Sequence, residues 1–173
     1  MDNNHKKEWI GWLKIIIITI MLAFFLRTFI FATSIVEGES MYPTLQDGER
    51  VIFNKVVYTI DEPHRGDVAI IQQSPKNYVK RIIGMPGETI EIKNSQLYID
   101  GKAYQQHFLS DEVIAQTSNF GPLEIPEDNY FVMGDNRLIS KDSRNGLGLI
   151  PRNDIIGKSE FIIYPLNEFG WID

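Results

Sequence analysis

Ser40 lies in Gly38-Glu39-Ser40-Met41-Tyr42-Pro43-Thr44-Leu45, and Lys80 lies forty residues on, inside Tyr78-Val79-Lys80-Arg81-Ile82-Ile83-Gly84. A serine hydroxyl becomes a nucleophile when a neighbouring base takes its proton. Lysine can be that base only if its amine is neutral near working pH, and burial achieves this because desolvation disfavours the ammonium form. Arg81 could not substitute, since a guanidinium does not deprotonate in proteins. In an extended segment Tyr78, Lys80 and Ile82 share one face and Val79, Arg81 and Ile83 the other. Lys80 is then flanked by an aromatic and a β-branched residue, a setting of low dielectric. The same alternation also allows a solvated lysine on an edge strand, and Ser40-Met41-Tyr42-Pro43 also reads as a turn that merely opens a domain.

Other chemistries find little footing. The three histidines are His5, ahead of the apolar stretch, and His64 and His107, both in polar turn or loop contexts. Ser40 lacks the glycine two residues later that a nucleophile elbow needs, and no serine is followed by lysine three positions on. There is no His-Glu-x-x-His motif and no phosphate-binding glycine loop. Cysteine is absent, which removes thiolates, disulfides and zinc–thiolate sites. No metal or other cofactor is expected. Residues 134–144 gather Asp135, Asp142, Arg137 and Arg144 around the hydroxyls of Ser140 and Ser143. That segment is either a salt-bridged surface loop or a buried network that orients a site.

These residues need a scaffold and a location. The chain has 173 residues, enough for one domain plus an anchor. The unbroken apolar run, residues 15–26, is short for a membrane span. With Lys6, Lys7 and Lys14 before it and Ala32-Thr33-Ser34 after it, it also fits a cleavable signal sequence. However, Lys14 and Arg27 stand about 20 Å apart on a helix and can extend their charged tips outward. Residues 12–31 then reach the length of about 20 that a span requires, with Trp9 and Trp12 at an interface. We therefore expect a short cytoplasmic N-terminus (1–11), an uncleaved transmembrane anchor (12–32) and an extracytoplasmic domain (33–173). Three lysines before the span against one arginine at its far end set this orientation in the plasma membrane.

Net charge is −6 overall and −8 for residues 33–173, which hold 13 basic and 21 acidic residues. An acidic domain without a basic cluster argues against nucleic acid. Short apolar runs between turn signals predict strands at 50–58, 67–72, 78–85, 130–133 and 159–164, with a hairpin of 89–93 and 96–99 around Asn94-Ser95. Residues 105–128 read as loop-rich and contain Pro122 and Pro126. The fold class is mainly β, an antiparallel sheet or partly open barrel behind one N-terminal helix.

Taken in order, four segments resemble the boxes of bacterial type I signal peptidases, specifically the small single-span Gram-positive kind. Residues 38–45 resemble the nucleophile box, Arg65-Gly66-Asp67-Val68 the next, residues 78–87 the lysine box and residues 134–144 the last. The resemblance implies that Ser40 is the nucleophile and Lys80 the general base. It implies that Ser140 orients the lysine amine, that Asp142 and Arg144 form a pair holding the last box, and that Asp135 and Arg137 support it. Val36, Met41, Leu45, Tyr78 and Val79 match positions lining the substrate pocket. Ser40 N–H would be one oxyanion donor, and Gly38 stands where some relatives carry a hydroxyl as the second. The implied substrates are secretory preproteins with small residues at the first and third positions before the cut. The implied fold is β-rich, with a reduced second subdomain around 93–128, and a monomer beside the lipid bilayer is expected. Three rivals stand against this reading. A self-cleaving repressor-type peptidase would be soluble and joined to a DNA-binding module. A catalytically silent anchored paralogue that binds preproteins would have no reason to keep Ser40, Lys80, Ser140 and Asp142. A secreted binding protein would lose its N-terminus.

Overall fold

The computed structural model describes residues 3–172, with side chains from Glu8 onward. Helix α1 (Asn3–Phe25) continues through a π-helical turn (Leu26–Ile30), and Glu8–Ile30 is long and apolar enough to cross a membrane. None of that segment is buried against the rest of the chain. A helix apolar on all sides and joined to the domain only at its last turn, where Lys55 bonds Thr28 O and Ile30 O, suits hydrocarbon surroundings, where its backbone groups are satisfied internally. The side chains of Lys6 and Lys7, on which the expected orientation partly rests, lie outside the described residues.

Among the described residues, twelve strands form two antiparallel sheets. The strands are β1 (Phe31–Ile35), β2 (Arg50–Asn54), β3 (Val68–Gln73), β4 (Lys76–Gly84), β5 (Thr89–Lys93), β6 (Gln96–Ile99), β7 (Lys102–Tyr104), β8 (Phe120–Glu124), β9 (Asn129–Met133), β10 (Ile150–Pro151), β11 (Ile155–Tyr164) and β12 (Gly170–Trp171). The large sheet runs β1-β2-β11-β3-β4-β9-β10, with β12 on β11, and the small one runs β7-β6-β5-β8. The fold is mainly β and open, with no closed barrel.

Alternation along the central strands explains the packing. On β4 and β9, Ile82, Tyr130 and Val132 enter one core with Ala69, Ile71 and Ile155. Ile83, Phe131 and Met133 face the other way, against Ile90, Ile92 and Leu97 of the small sheet. The large sheet is thus apolar on both faces here, and each fully buried aliphatic side chain contributes roughly 1.5–3 kcal/mol. A third cluster of Val36, Met41, Leu45, Val51, Val68 and Ile162 lies under the segment that carries Ser40.

The hairpin at Asn94-Ser95 forms in the expected register, because both residues adopt the positive φ that a two-residue turn demands (49° and 64°). Two expectations need correction. The strand expected over 50–58 ends at Asn54, whose side-chain oxygen accepts hydrogen bonds from Val56 and Val57 N–H. That Asx turn starts the short helix α2 (Val57–Ile60) and sends Tyr58 into the core. The loop-rich stretch expected over 105–128 contains the one-turn helix α3 (Asp111–Ile114) and β8. Pro122 is accommodated because β8 is an edge strand, where no ladder donor is needed on its outer side. β1, for which no strand was expected, adds a further edge to the large sheet.

Gly157 marks a bulge in β11, where the register with β3 shifts. A Cβ there would sit 2.6 Å from Asn54 O and 2.8 Å from Phe53 Cδ2. Because the first contact is paired backbone, Gly157→Ala is expected to destabilise the chain by roughly 1–3 kcal/mol, read as a lowered melting temperature in detergent. An unchanged melt would show that β11 can shift there.

Candidate active site

Ser40 sits in the turn that follows β1. The turn is tied by Tyr42 N–H to Glu39 O (3.2 Å) and Leu45 N–H to Met41 O (3.0 Å). Gly38 enters it at φ +82°, a value that favours glycine, and its N–H donates to Asp47 Oδ1 at 2.6 Å. Buried Met41 and Leu45 anchor the turn from below. Ser40 O accepts from Asn136 N–H at 3.1 Å, which fastens the turn to the 134–144 segment.

Lys80 projects from β4, opposite Ala69 of β3, whose small side chain leaves room for the amine. It is 2% exposed, so the solvated edge-strand reading does not hold. Lys80 Nζ lies 2.7 Å from Ser40 Oγ and donates to Val79 O at 2.9 Å. Burial pushes the amine down from 10.5 to about 8, and the carboxylates of Asp142 and Asp135 oppose a deeper fall. A base poised close to neutrality beside a hydroxyl is the arrangement nucleophilic catalysis requires.

Two buried ion pairs surround it. Arg144 grips Asp142 through Nε (2.9 Å to Oδ1) and a terminal nitrogen (2.8 Å to Oδ2), and Gly134 N–H adds a third bond at 2.9 Å. Burial resists ionisation of Asp142, but the Arg144 bonds and charge, Gly134 N–H and nearby Ser140 outweigh it and hold the carboxyl below its usual range. Arg81, on the opposite face of β4 from Lys80, donates to Asp135 through Nε (3.0 Å to Oδ1, 3.3 Å to Oδ2) and a terminal nitrogen (2.8 Å to Oδ2), and to Gly66 O at 2.7 Å. Thr44 Oγ1 donates to the same Asp135 at 2.5 Å, so this pair holds the Ser40 turn as well as the last box.

A groove of about 530 Å³ opens onto the Ser40–Lys80 pair. Its walls come from β1 and the first half of β4, including Ile35, Val36, Met41, Tyr78 and Val79. Among the described residues no three histidines or carboxylates converge as metal ligands.

Residues 9–164 match the family described as signal peptidase, peptidase S26. The chain belongs to that family. It is 48% identical to signal peptidase I S of Bacillus subtilis (strain 168), over 95% of this chain and 94% of that one. It is 47% identical to signal peptidase I of Bacillus licheniformis, over 99% and 97% respectively. The crystal structure of a signal peptidase I from Enterococcus faecalis V583 superposes with a TM-score of 0.51 at 32% identity, covering 57% of this chain and 97% of that one. The chain is accordingly a hydrolase of the signal peptidase I type.

Within this signal peptidase fold, the residues expected from sequence fall into three groups. Ser40, Lys80, Asp142, Arg144 and Ser140 converge. Ser140 Oγ is fully buried and makes no hydrogen bond of normal geometry to Lys80, whose amine turns to Ser40 and Val79 instead. Val36, Met41, Tyr78 and Val79 line the groove, whereas Leu45 lies outside its lining and packs in the core beneath the turn. Asp135 pairs with Arg81, and Arg137 reaches Gln106 Oε1 at 2.7 Å. Sequence reading missed Arg81, Thr44 and Gly134. A Cβ on Gly134 would collide with Ser140 Oγ and Ser40 O, so only glycine fits between the last box and the Ser40 turn. The available signal for Arg81 was its place on the alternate face of β4, in a segment otherwise apolar on that side.

Arg81→Met would strand the Asp135 charge at zero exposure. Its expected cost is roughly 3–5 kcal/mol, with most of it recovered when Asp135→Leu removes the orphaned carboxylate. Equal destabilisation of the single and double variants in thermal melts would contradict this pairing. Lys80→Met keeps the chain length and removes the buried amine. Since the folded value is depressed below 10.5, the penalty is full below about pH 8 and fades as pH rises towards 10.5. The variant should therefore exceed wild type in stability by on the order of 1–3 kcal/mol at neutral pH, and a gain that grows above pH 8 would oppose the assignment.

Proposed function

We propose that the chain is a membrane-anchored serine endopeptidase that removes signal peptides from exported preproteins, with Ser40 as nucleophile and Lys80 as general base. The observation that carries this reading is the buried Lys80 amine 2.7 Å from Ser40 Oγ. Neutral Nζ accepts the Ser40 proton as Oγ attacks the scissile carbonyl carbon. The amine then returns that proton to the leaving nitrogen, and an acyl-enzyme forms. Lys80 next takes a proton from water as the water oxygen attacks the ester carbonyl, and returns it to Ser40 Oγ as the acid product leaves, which restores the hydroxyl and the neutral amine. Ser40 N–H makes no hydrogen bond among the described residues, which supports its role as oxyanion donor. Gly38 brings no hydroxyl, and its N–H is already taken by Asp47.

Substrate docking follows from the two edges at the groove. β1 pairs on one side only, with β2, and β9 pairs with β4 only from Arg81 onward. An extended peptide can bond to these free backbone groups as an added strand, presenting alternate side chains to the floor. Val36, Met41, Tyr78 and Val79 make that floor apolar and shallow, which favours small residues at the first and third positions before the cut. Leu45 supports it from below. Asp142, Arg144, Asp135 and Ser140 position the pair, and Arg137 braces the last box through Gln106. The anchor, expected over 12–32, ends at Ile30 in this reading because Phe31 and Ala32 already pair with β2, and it leaves the N-terminus cytoplasmic and the β-domain outside the cell. One chain supplies every group in this site, which supports a monomer.

The test uses detergent-solubilised full-length protein and a preprotein with an Ala-x-Ala site. Ser40→Ala, Lys80→Ala and Lys80→Arg are each expected to lose about 10³-fold or more in kcat/KM. Wild-type kcat/KM should rise about tenfold per pH unit and level off above about pH 8, where the amine is neutral. Appreciable turnover by Lys80→Arg, or a rate highest in acid, would refute a neutral-amine base.

A further inference from the structure

A second cavity, of about 630 Å³, lies where the helical segment meets the β-domain, and nothing in the proposed reaction uses it. Its lining joins Phe31, Thr33, Ile52 and Ile163 to two cations, Arg27 and Lys55, with no acidic residue. Thr33 and Ile52 are direct cross-strand partners on β1 and β2, so the apolar part is an outward face of the large sheet. Val51, Phe53 and Ile162, their neighbours in sequence, turn inward and are buried.

Three observations identify what fits. Arg27 lies within the last turn of the Glu8–Ile30 span, so the cavity opens at the depth where that span leaves the bilayer. Arg27 makes no ion pair among the described residues, and Lys55 Nζ is held at the mouth by a 2.6 Å bond to Thr28 O. In a domain of net charge −8, two cations without a carboxylate between them form a local positive site beside an apolar wall. A free phosphate would use the cations and leave that wall bare, whereas a phospholipid uses both.

We propose that this cavity binds one anionic phospholipid from the leaflet at the domain end of the span. The headgroup phosphate lies between Arg27 and Lys55, and an acyl chain lies along Phe31, Ile52 and Ile163. A lipid held there restrains the tilt of the domain on the bilayer, because a single helical tether leaves rotation about the span free.

Native mass spectrometry of the full chain, released from bilayers of equal phosphatidylglycerol and phosphatidylcholine, tests this directly. Wild type is expected to retain one phosphatidylglycerol per chain with about tenfold or greater preference over phosphatidylcholine. Arg27→Gln/Lys55→Gln should abolish the preference and Arg27→Gln alone should weaken it. Arg27→Lys/Lys55→Arg should keep it, and so should Lys14→Gln at the opposite end of the span. Equal retention of both lipids by wild type would overturn the proposal. So would an undiminished preference in Arg27→Gln, or its loss in Lys14→Gln.

Discussion

The structure depends on keeping one amine dry without stripping it of basicity. Full desolvation would drive Lys80 far below neutrality, and full hydration would leave it charged and useless as a base. The fold sets an intermediate value by two opposing means. Strands β3 and β4 bury the amine beside Ala69, while Asp142 and Asp135 supply negative potential that limits the fall to about 8. Neither carboxylate is left as a bare buried charge. Arg144 and Arg81 are paired with them one to one.

This arrangement explains why the ion pairs lie where they do. Burying such pairs is weak evidence for stability, since desolvation offsets much of the attraction. Here each pair also joins segments distant in sequence. Arg81–Asp135 with Thr44 links β4, the last box and the Ser40 turn, and Arg144–Asp142 with Gly134 closes the last box on itself. The Asn136 bond to Ser40 O completes the ring. Serine position and lysine acidity therefore belong to one connected network, and a disturbance of either pair reaches both.

The sheet topology contributes by what it leaves unpaired. An exposed strand edge is ordinarily a hazard because it invites another chain. β1 is short and the free half of β4 lines the same groove, so the large sheet presents two unpaired edges at the site. The apolar helix, long enough to cross a membrane, runs directly into β1 at the border of this opening.

Much of this architecture is legible along the chain, because it follows from local rules. Alternation put Lys80 with Tyr78 and Ile82 and set Arg81 on the other face. Turn residues placed the Asn94-Ser95 hairpin, and four ordered boxes behind an apolar segment pointed to the family. The errors arose where a local signal met a distant partner: Asn54 capping a helix within an expected strand, and Leu45 placed in the groove although it packs beneath it; Asp135 had no partner assigned, because Arg81, which holds it, is 54 residues away. The sequence alone determined the strand faces, the turns and the apolar helix, since each depends on residues a few positions apart. Only the tertiary structure decided that Lys80 is buried and near neutral. Desolvation sums over every atom around the amine, and those atoms come from β3, β4, the Ser40 turn and the 134–144 segment together.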